Sequence, residues 1–289
     1  MSMTEKAVIA ERPVDVQVDV HVRAPAGKSS WIQKEQRPLN GTVVQLYRFL
    51  VFAAIVAFWE IGATLGWINT FFWSKPSDIA ATWWVIVQNG SAWSDTMFTF
   101  RSTIAGFVIG TVAGAAIGLT FWWSRLYAQT VEPFVIMFEA MPKLALAPII
   151  VLIFGIGLAS KVAMAVAITI VITILTTFNG MKSVDRDLVR MVYTLGATRW
   201  QVFSKVIVPW TIPSIISALR INIGLALTGA IVGEYIGSQH GLGRLIFYAG
   251  QTYEISLIWA GILNLSILSM VLYLLITWTE KKLLKGFMH

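Results

Sequence analysis

The sequence predicts an all-α membrane protein of about six transmembrane helices, and three observations carry that expectation. Of its 289 residues, 56% are hydrophobic and 13% charged, against roughly 25% charged in a soluble domain, which leaves too little polar surface to face water. Six stretches, 44–66, 102–123, 132–154, 161–181, 213–236 and 257–278, each reach the ~20 apolar residues that a spanning helix needs. None alternates apolar and polar residues over a barrel-strand length, so the helix is the structure that satisfies the backbone in lipid.

Charge placement sets the expected orientation. With the N-terminus in the cytoplasm, segments 1–42, 121–131, 180–211 and 278–289 lie inside and hold 15 of the 22 Lys and Arg residues. The outer segments hold Lys75, Arg101, Lys161 and Arg244. This is the positive-inside pattern, so both ends are expected inside, and the net charge of +7 reads as topology and not as a nucleic-acid surface. The absence of cysteine excludes disulfides and thiol-ligated metals.

Taken in order, residues 1–42 are polar and lack the apolar core of a signal peptide, so they are expected to be a flexible cytoplasmic tail ahead of a membrane domain at 43–289. Within the tail, Val14, Val16, Val18, Val20 and Val22 alternate with other residues at a strand period. After the first span, Trp67 to Phe100 is dense in aromatics, which suits a segment lying along the outer membrane interface, and Pro76-Ser77-Asp78 marks the start of a short helix.

The second span carries Gly106, Gly110, Gly114 and Gly118 on one face, a spacing that lets two backbones approach closely in lipid. In the third, Pro142 and Pro148 each remove a backbone donor, so the helix is expected to kink or unwind beside protein or water. Glu139 and Lys143 stand four apart across the first of these breaks. In the fourth, Thr169, Thr173 and Thr176 form a polar stripe.

Ionisable residues within spans are costly, at least about 2.5–3.5 kcal/mol at the bilayer centre. Glu60, Glu139, Lys143, Arg220 and Glu234 are such exceptions. Arg220 stands close enough to the inner boundary to snorkel. Glu234, near the outer end, fits helix packing, a gate ion pair or solute contact. The candidate solute path comprises Lys143, Thr169, Thr173, Asn222 and Glu234, and its chemistry favours a small anion or a polar zwitterion.

Between the fourth and fifth spans, residues 182–212 form the longest charged inner loop. Asp185 opens a helical pattern, Gly196 breaks it, and a second amphipathic stretch runs from Thr198 to Val206 before Pro209. Two short helices joined by a turn are expected, projecting toward a partner.

This loop resembles that of the permeases of binding-protein-dependent ABC importers, whose signature reads Glu-Ala-Ala, three residues, Gly, nine residues, Ile-x-Leu-Pro. Here Gly196 is followed nine residues later by Val206-Ile207-Val208-Pro209, while Arg190-Met191-Val192 stands in place of Glu-Ala-Ala. The runs E-A-M-P-K-L-A-L-A-P-I-I-V-L-I-F-G-I-G (139–157) and G-E-Y-I-G-S-Q-H-G-L-G-R-L-I (233–246) are similar to the branch importing nitrate, taurine and other sulfonates, and bicarbonate.

The resemblance implies a type I importer permease bundle, with its core at about 97–280, in the bacterial inner membrane. It implies a second copy of the permease, two cytoplasmic ATPase subunits that bind ATP and Mg, and a periplasmic solute-binding protein. Residues 185–209 would be the coupling loop, including Asp187, Arg190, Gly196, Ala197, Arg199, Trp200 and Pro209, with Arg199 facing the ATPase. No phosphate-cradling G-x-x-x-x-G-K-[ST] loop occurs in the chain, so ATP hydrolysis is expected in the partner.

Three other signals are set aside. His21, His240 and His289 are not at metal-ligand spacing, so no metal is expected. Gly241-Leu242-Gly243 lacks the strand and helix of a dinucleotide site and reads as an outer turn. No nucleophile has a base and an orienting acid, so the chain is not expected to be an enzyme. A stand-alone channel or secondary transporter is the alternative, and it requires no such coupling loop.

Overall fold

The computed structural model describes residues 41–285, within which every regular element is a helix. The valine alternation at 14–22 and the tail as far as residue 40 lie outside the described residues. Residues 41–52 are the opening turns of α1 (Gly41–Thr64), and a separate compact unit starts at Ala53. Among the described residues, five helices are long and apolar enough to cross a membrane, and a bent pair supplies a sixth span if its halves count as one. The protein is an all-α, multi-pass membrane protein.

The outer segment holds α2 (Thr70–Trp73) and α3 (Pro76–Gln88). Pro76 occupies the first turn of α3, where its missing N–H costs no bond. The Ser77 amide and hydroxyl both donate to Glu60, at 3.0 and 2.8 Å. Glu60 in α1 therefore caps a neighbouring helix, which explains one intramembrane carboxylate. The second span, α4 (Ser91–Thr120), starts well before the expected residue 102 and closes in a short 3₁₀ turn, Phe121–Trp123.

The segment expected as the third span is broken into two helices. α5 (Arg125–Ala140) ends at Met141, which is extended (φ −70°, ψ 136°), as the residue before a proline is expected to be. A 3₁₀ turn, Lys143–Leu146, leads into α6 (Ala147–Phe154), and the two halves are bent by 84°. Only Pro142 makes this break. Pro148, expected to add a second, sits in the first turn of α6, where no intrahelical donor is required.

α7 (Leu158–Lys182) follows, then α8 (Arg186–Thr194), α9 (Arg199–Val202), α10 (Val208–Ile236), α11 (Leu242–Gln251) and α12 (Ile255–Lys285). α9 does not stop before Pro209 as expected. It passes through a π turn, Phe203–Ile207, directly into α10, and the whole stretch Arg199–Ile236 is one candidate span. The wider register ends with the Val208 amide bonded to the Phe203 carbonyl, just before Pro209, which has no donor to give. α11 is a ten-residue helix that begins at Leu242, within the outer turn expected at Gly241-Leu242-Gly243.

The centre of the bundle is α4, α7 and α10, packed along their lengths. A Cβ added at Gly106 would lie 2.3 Å from the Ala165 Cβ, at Gly110 1.9 Å from the Thr169 Oγ1, and at Gly118 2.7 Å from the Thr177 Cβ. At Gly114 it would meet the Ile170 carbonyl oxygen at 2.6 Å. The glycine face of α4 therefore lies against α7 of the same chain. Gly229 of α10 approaches α7 as closely, its Cβ position 2.7 Å from the Ala165 Cα.

Candidate coupling surface and translocation site

The 185–209 segment is built from explicit caps. Asp185 accepts from the Asp187 amide at 2.8 Å and starts α8. Gly196 takes φ +84°, a conformation that glycine adopts without strain, and closes α8 through its amide to the Tyr193 carbonyl at 2.9 Å. Thr198 and Gln201 then form a reciprocal capping box that opens α9. That box was readable from Thr198-x-x-Gln201.

The tip exposes apolar side chains. Leu195 is 78% and Trp200 61% accessible, with Met191 and Tyr193 also exposed. Asp187 and Arg190 pair at 3.1 Å on the exposed face of α8, while Ala197 is half-buried. Arg199 is exposed, and its guanidinium also bonds back to the protein. It donates to the Trp122 carbonyl at 3.1 Å and to that of Trp123, with its carbon 5.5 Å from the Trp123 ring centre. Cations are favoured where a helix ends in unpaired carbonyls, and these two belong to the turn that closes α4.

The five solute-path candidates do not share one surface. Thr169, Thr173 and Asn222 have no exposed area and Glu234 is 1% exposed. Thr169 and Thr173 donate to carbonyls one turn back, and the Asn222 amide donates to Thr173 at 2.8 Å and to Thr111 at 3.4 Å. These residues link α4, α7 and α10, and in this conformation a solute cannot touch them. Thr176 is only half-buried, and the buried stripe continues at Thr177.

Glu234 belongs to an outer cluster. It accepts from the Thr99 hydroxyl at 2.9 and 3.0 Å and from the Gly243 amide at 2.8 Å. Asp95 accepts from the Gly241 amide at 2.8 Å, and Thr99 from the Leu242 amide at 2.9 Å. Three successive amides entering α11 are thus held by α4 and α10, which favours negative charge there. Lys161, at the end expected on the outer side, is fully buried. Its ammonium donates to the Ile156 carbonyl at 2.8 Å, to Ser160 at 3.0 Å and to the Gly237 carbonyl.

Lys143 lies apart, at the break between α5 and α6. Its ammonium donates to the Glu139 carboxylate at 3.0 Å and to the Glu139 carbonyl at 2.9 Å. Arg220 pairs with Glu280 of α12, toward the end expected on the inner side. Asp95, Thr99 and Glu280 went unnoticed in the sequence. Asp95 and Thr99 share the i, i+4 spacing of one helix face, but without α11's position nothing marks them as caps.

The apolar helices, the bent pair, the polar three-helix core and the capped loop with an apolar tip define a polytopic membrane protein. Residues 106–285 match the family of binding-protein-dependent transport system inner membrane components, and the chain belongs to that family, the permeases of ABC importers. It is 32% identical over 254 residues to the riboflavin transport system permease protein of Chloroflexus aurantiacus, covering 88% of this chain and 92% of that protein. It is 28% identical over 233 residues to a putative aliphatic sulfonates transport permease protein of Bacillus subtilis, covering 81% and 84%. Among solved structures, a bacterial ABC transporter involved in alginate import matches with a TM-score of 0.58 at 15% identity, covering 83% of this chain and 96% of that one, a likeness of fold.

Proposed function

We propose that two copies of this permease form a translocation path across the bacterial inner membrane, driven by two cytoplasmic ATPase subunits and fed by a periplasmic solute-binding protein. The start of α1 lies on the cytoplasmic side, and the permease domain, taken as 43–289, has its core at about 97–280. The observation that supports this reading is the 185–209 segment, a capped helix–turn–helix whose exposed Leu195 and Trp200 suit a covering partner. Asp187, Arg190, Gly196, Ala197 and Trp200 would meet the ATPase. Arg199 and Pro209 would join that contact to α4 and α10. ATP and Mg would be bound by the partner.

The path runs along the broken third span, whose freed carbonyls need protein or water. Of the five candidates, Lys143 stands at its wall, and Thr169, Thr173, Asn222 and Glu234 set the helices behind it. The solute is a small polar molecule, an anion such as nitrate, a sulfonate, bicarbonate or an organic acid. The sulfonate relative supports that class, whereas the riboflavin relative is named for a larger solute.

Gly196→Pro tests the coupling. Proline fixes φ near −65° and has no N–H, whereas this position needs φ +84° and donates to Tyr193. The variant is expected to insert normally and to lose solute-stimulated ATP hydrolysis in proteoliposomes. Full stimulation would remove the segment from the coupling role. Native mass spectrometry of the purified complex tests the dimer, since one copy beside a different permease would contradict it.

A further inference from the structure

Arg199 forms one wall of a cleft of about 970 Å³ that the reading above does not use. It opens where the α4–α5 turn, the end of α7 and the start of α8 meet. Four cations line it, Arg125, Lys182, Arg186 and Arg199, against one carboxylate, Glu132. Lys182 is occupied, pairing with Glu132 at 2.7 Å, and Arg199 is held by the two tryptophan carbonyls. Arg125 and Arg186 have no ion-pair or side-chain hydrogen-bond partner among the described residues. Two uncompensated guanidinium groups from different elements therefore share one concave, partly aromatic space.

We propose that this cleft binds a phosphate-bearing anion, bridged by Arg125 and Arg186. The guanidinium fork matches phosphate oxygens and makes stronger, charge-assisted bonds. A neutral solute would leave the excess charge unanswered, and a metal cation is repelled. Arg125 begins α5 and Arg186 begins α8, so the bound anion ties the coupling element to the mouth of the broken span. Occupancy biases the transporter toward whichever state brings the two arginines together, and the coupling is reciprocal. The phosphate can come from an anionic phospholipid of the inner leaflet or from a soluble anion, and both present the same oxygens. The binding itself does not depend on the transport reading. Only its regulatory consequence rests on 185–209 being the coupling segment.

The test uses the purified full-length chain in two arms, reconstituted in nanodiscs of phosphatidylcholine with and without phosphatidylglycerol, and in detergent titrated with inorganic phosphate. Retained phosphatidylglycerol is read by native mass spectrometry and phosphate by calorimetry. Wild type is expected to bind in at least one arm, which also identifies the source. Arg125→Gln and Arg186→Gln should each weaken binding about tenfold, the loss of one charged hydrogen bond. Arg125→Lys and Arg186→Lys should restore part of it, and Lys205→Gln, exposed but outside the cleft, should change nothing. Unaltered melting temperatures show that the Gln variants are folded. Three outcomes overturn the proposal: no binding in either arm, equal losses with Lys205→Gln, or binding abolished once the ATPase is bound, which would make the cleft a docking surface for that protein.

Discussion

The core helices α4, α7 and α10 and the broken pair α5 and α6 solve the same problem in opposite ways. Lipid offers helices no hydrophobic drive to associate, so adhesion must come from close packing and hydrogen bonds. The core does this with small residues, Gly106 to Gly118 against Ala165, Thr169, Thr173 and Thr177, with Asn222 bonded across the contact. The broken pair keeps large apolar side chains outward, with Phe134, Met137, Phe138, Leu152 and Ile153 all exposed. Pro142 interrupts its backbone. One region is therefore fixed by contacts its neighbours cannot yield, and the other is left free to meet lipid, a second copy or the solute path.

The largest effect that could break this comparison comes from Gly114. A side chain there meets the Ile170 carbonyl oxygen at 2.6 Å and the Thr173 Cβ at 2.7 Å, and backbone cannot rotate aside. Gly114→Leu is expected to exceed the ~1–3 kcal/mol usual for overpacking and to abolish a monodisperse protein in size-exclusion chromatography. Gly224 lies on an open stretch of α10 with nothing within 4 Å of its Cβ position. Gly224→Ala should leave the melting temperature unchanged or raise it slightly, since alanine favours a helix by about 1 kcal/mol. Equal damage from both substitutions would show that crowding is not what holds the core.

The spans and the glycine face were legible in the sequence because lipid imposes length and small-residue spacing directly on composition. The thresholds at Asp185, Gly196 and Pro76 were also legible, since capping chemistry is local. What a side chain faces was not. Thr169 and Thr173 read as solute contacts or as satisfied packing hydroxyls, and their burial against α4 and Asn222 was not visible in the sequence. The bonds from Arg199 to the carbonyls of Trp122 and Trp123 were not legible, because those residues lie more than seventy positions away in sequence. Pro148 makes no second break because a proline disrupts a helix interior but not a first turn, and its position in that turn follows from Pro142 having already ended α5.

A smaller effect probes the outer end of the core. Glu234→Ala removes the acceptor for the Thr99 hydroxyl and the Gly243 amide, both in a region closed to water. Orphaning a buried donor costs about 1–3 kcal/mol, so a loss of about 2 kcal/mol is expected. The Gly243 amide should exchange its hydrogen faster while amides in the middle of α7 stay protected. Uniform acceleration through α7 would mean that the outer cluster holds the whole core and not only the entry to α11.

The smallest effect sharpens the other side of the comparison, at Lys143. Its ammonium meets both the carboxylate and the carbonyl of Glu139, a carbonyl left in the last turn of α5 once the helix stops at Met141. A cation there satisfies an orphaned acceptor and suits the helix terminus. The lysine side chain is 12% exposed and its glutamate 34%, so water screens the pair from one side and its worth is about 1 kcal/mol at most. Lys143→Met should therefore cost little stability yet leave an unneutralised carboxylate at the wall of the proposed path, where it repels an anion. Transport of the solute is expected to fall in Lys143→Met and to recover in the Glu139→Gln, Lys143→Met double variant, because the double change removes both charges and leaves the break itself intact. If transport stays lost in the double variant, Lys143 serves the solute directly, and the free end of its ammonium is an anion site.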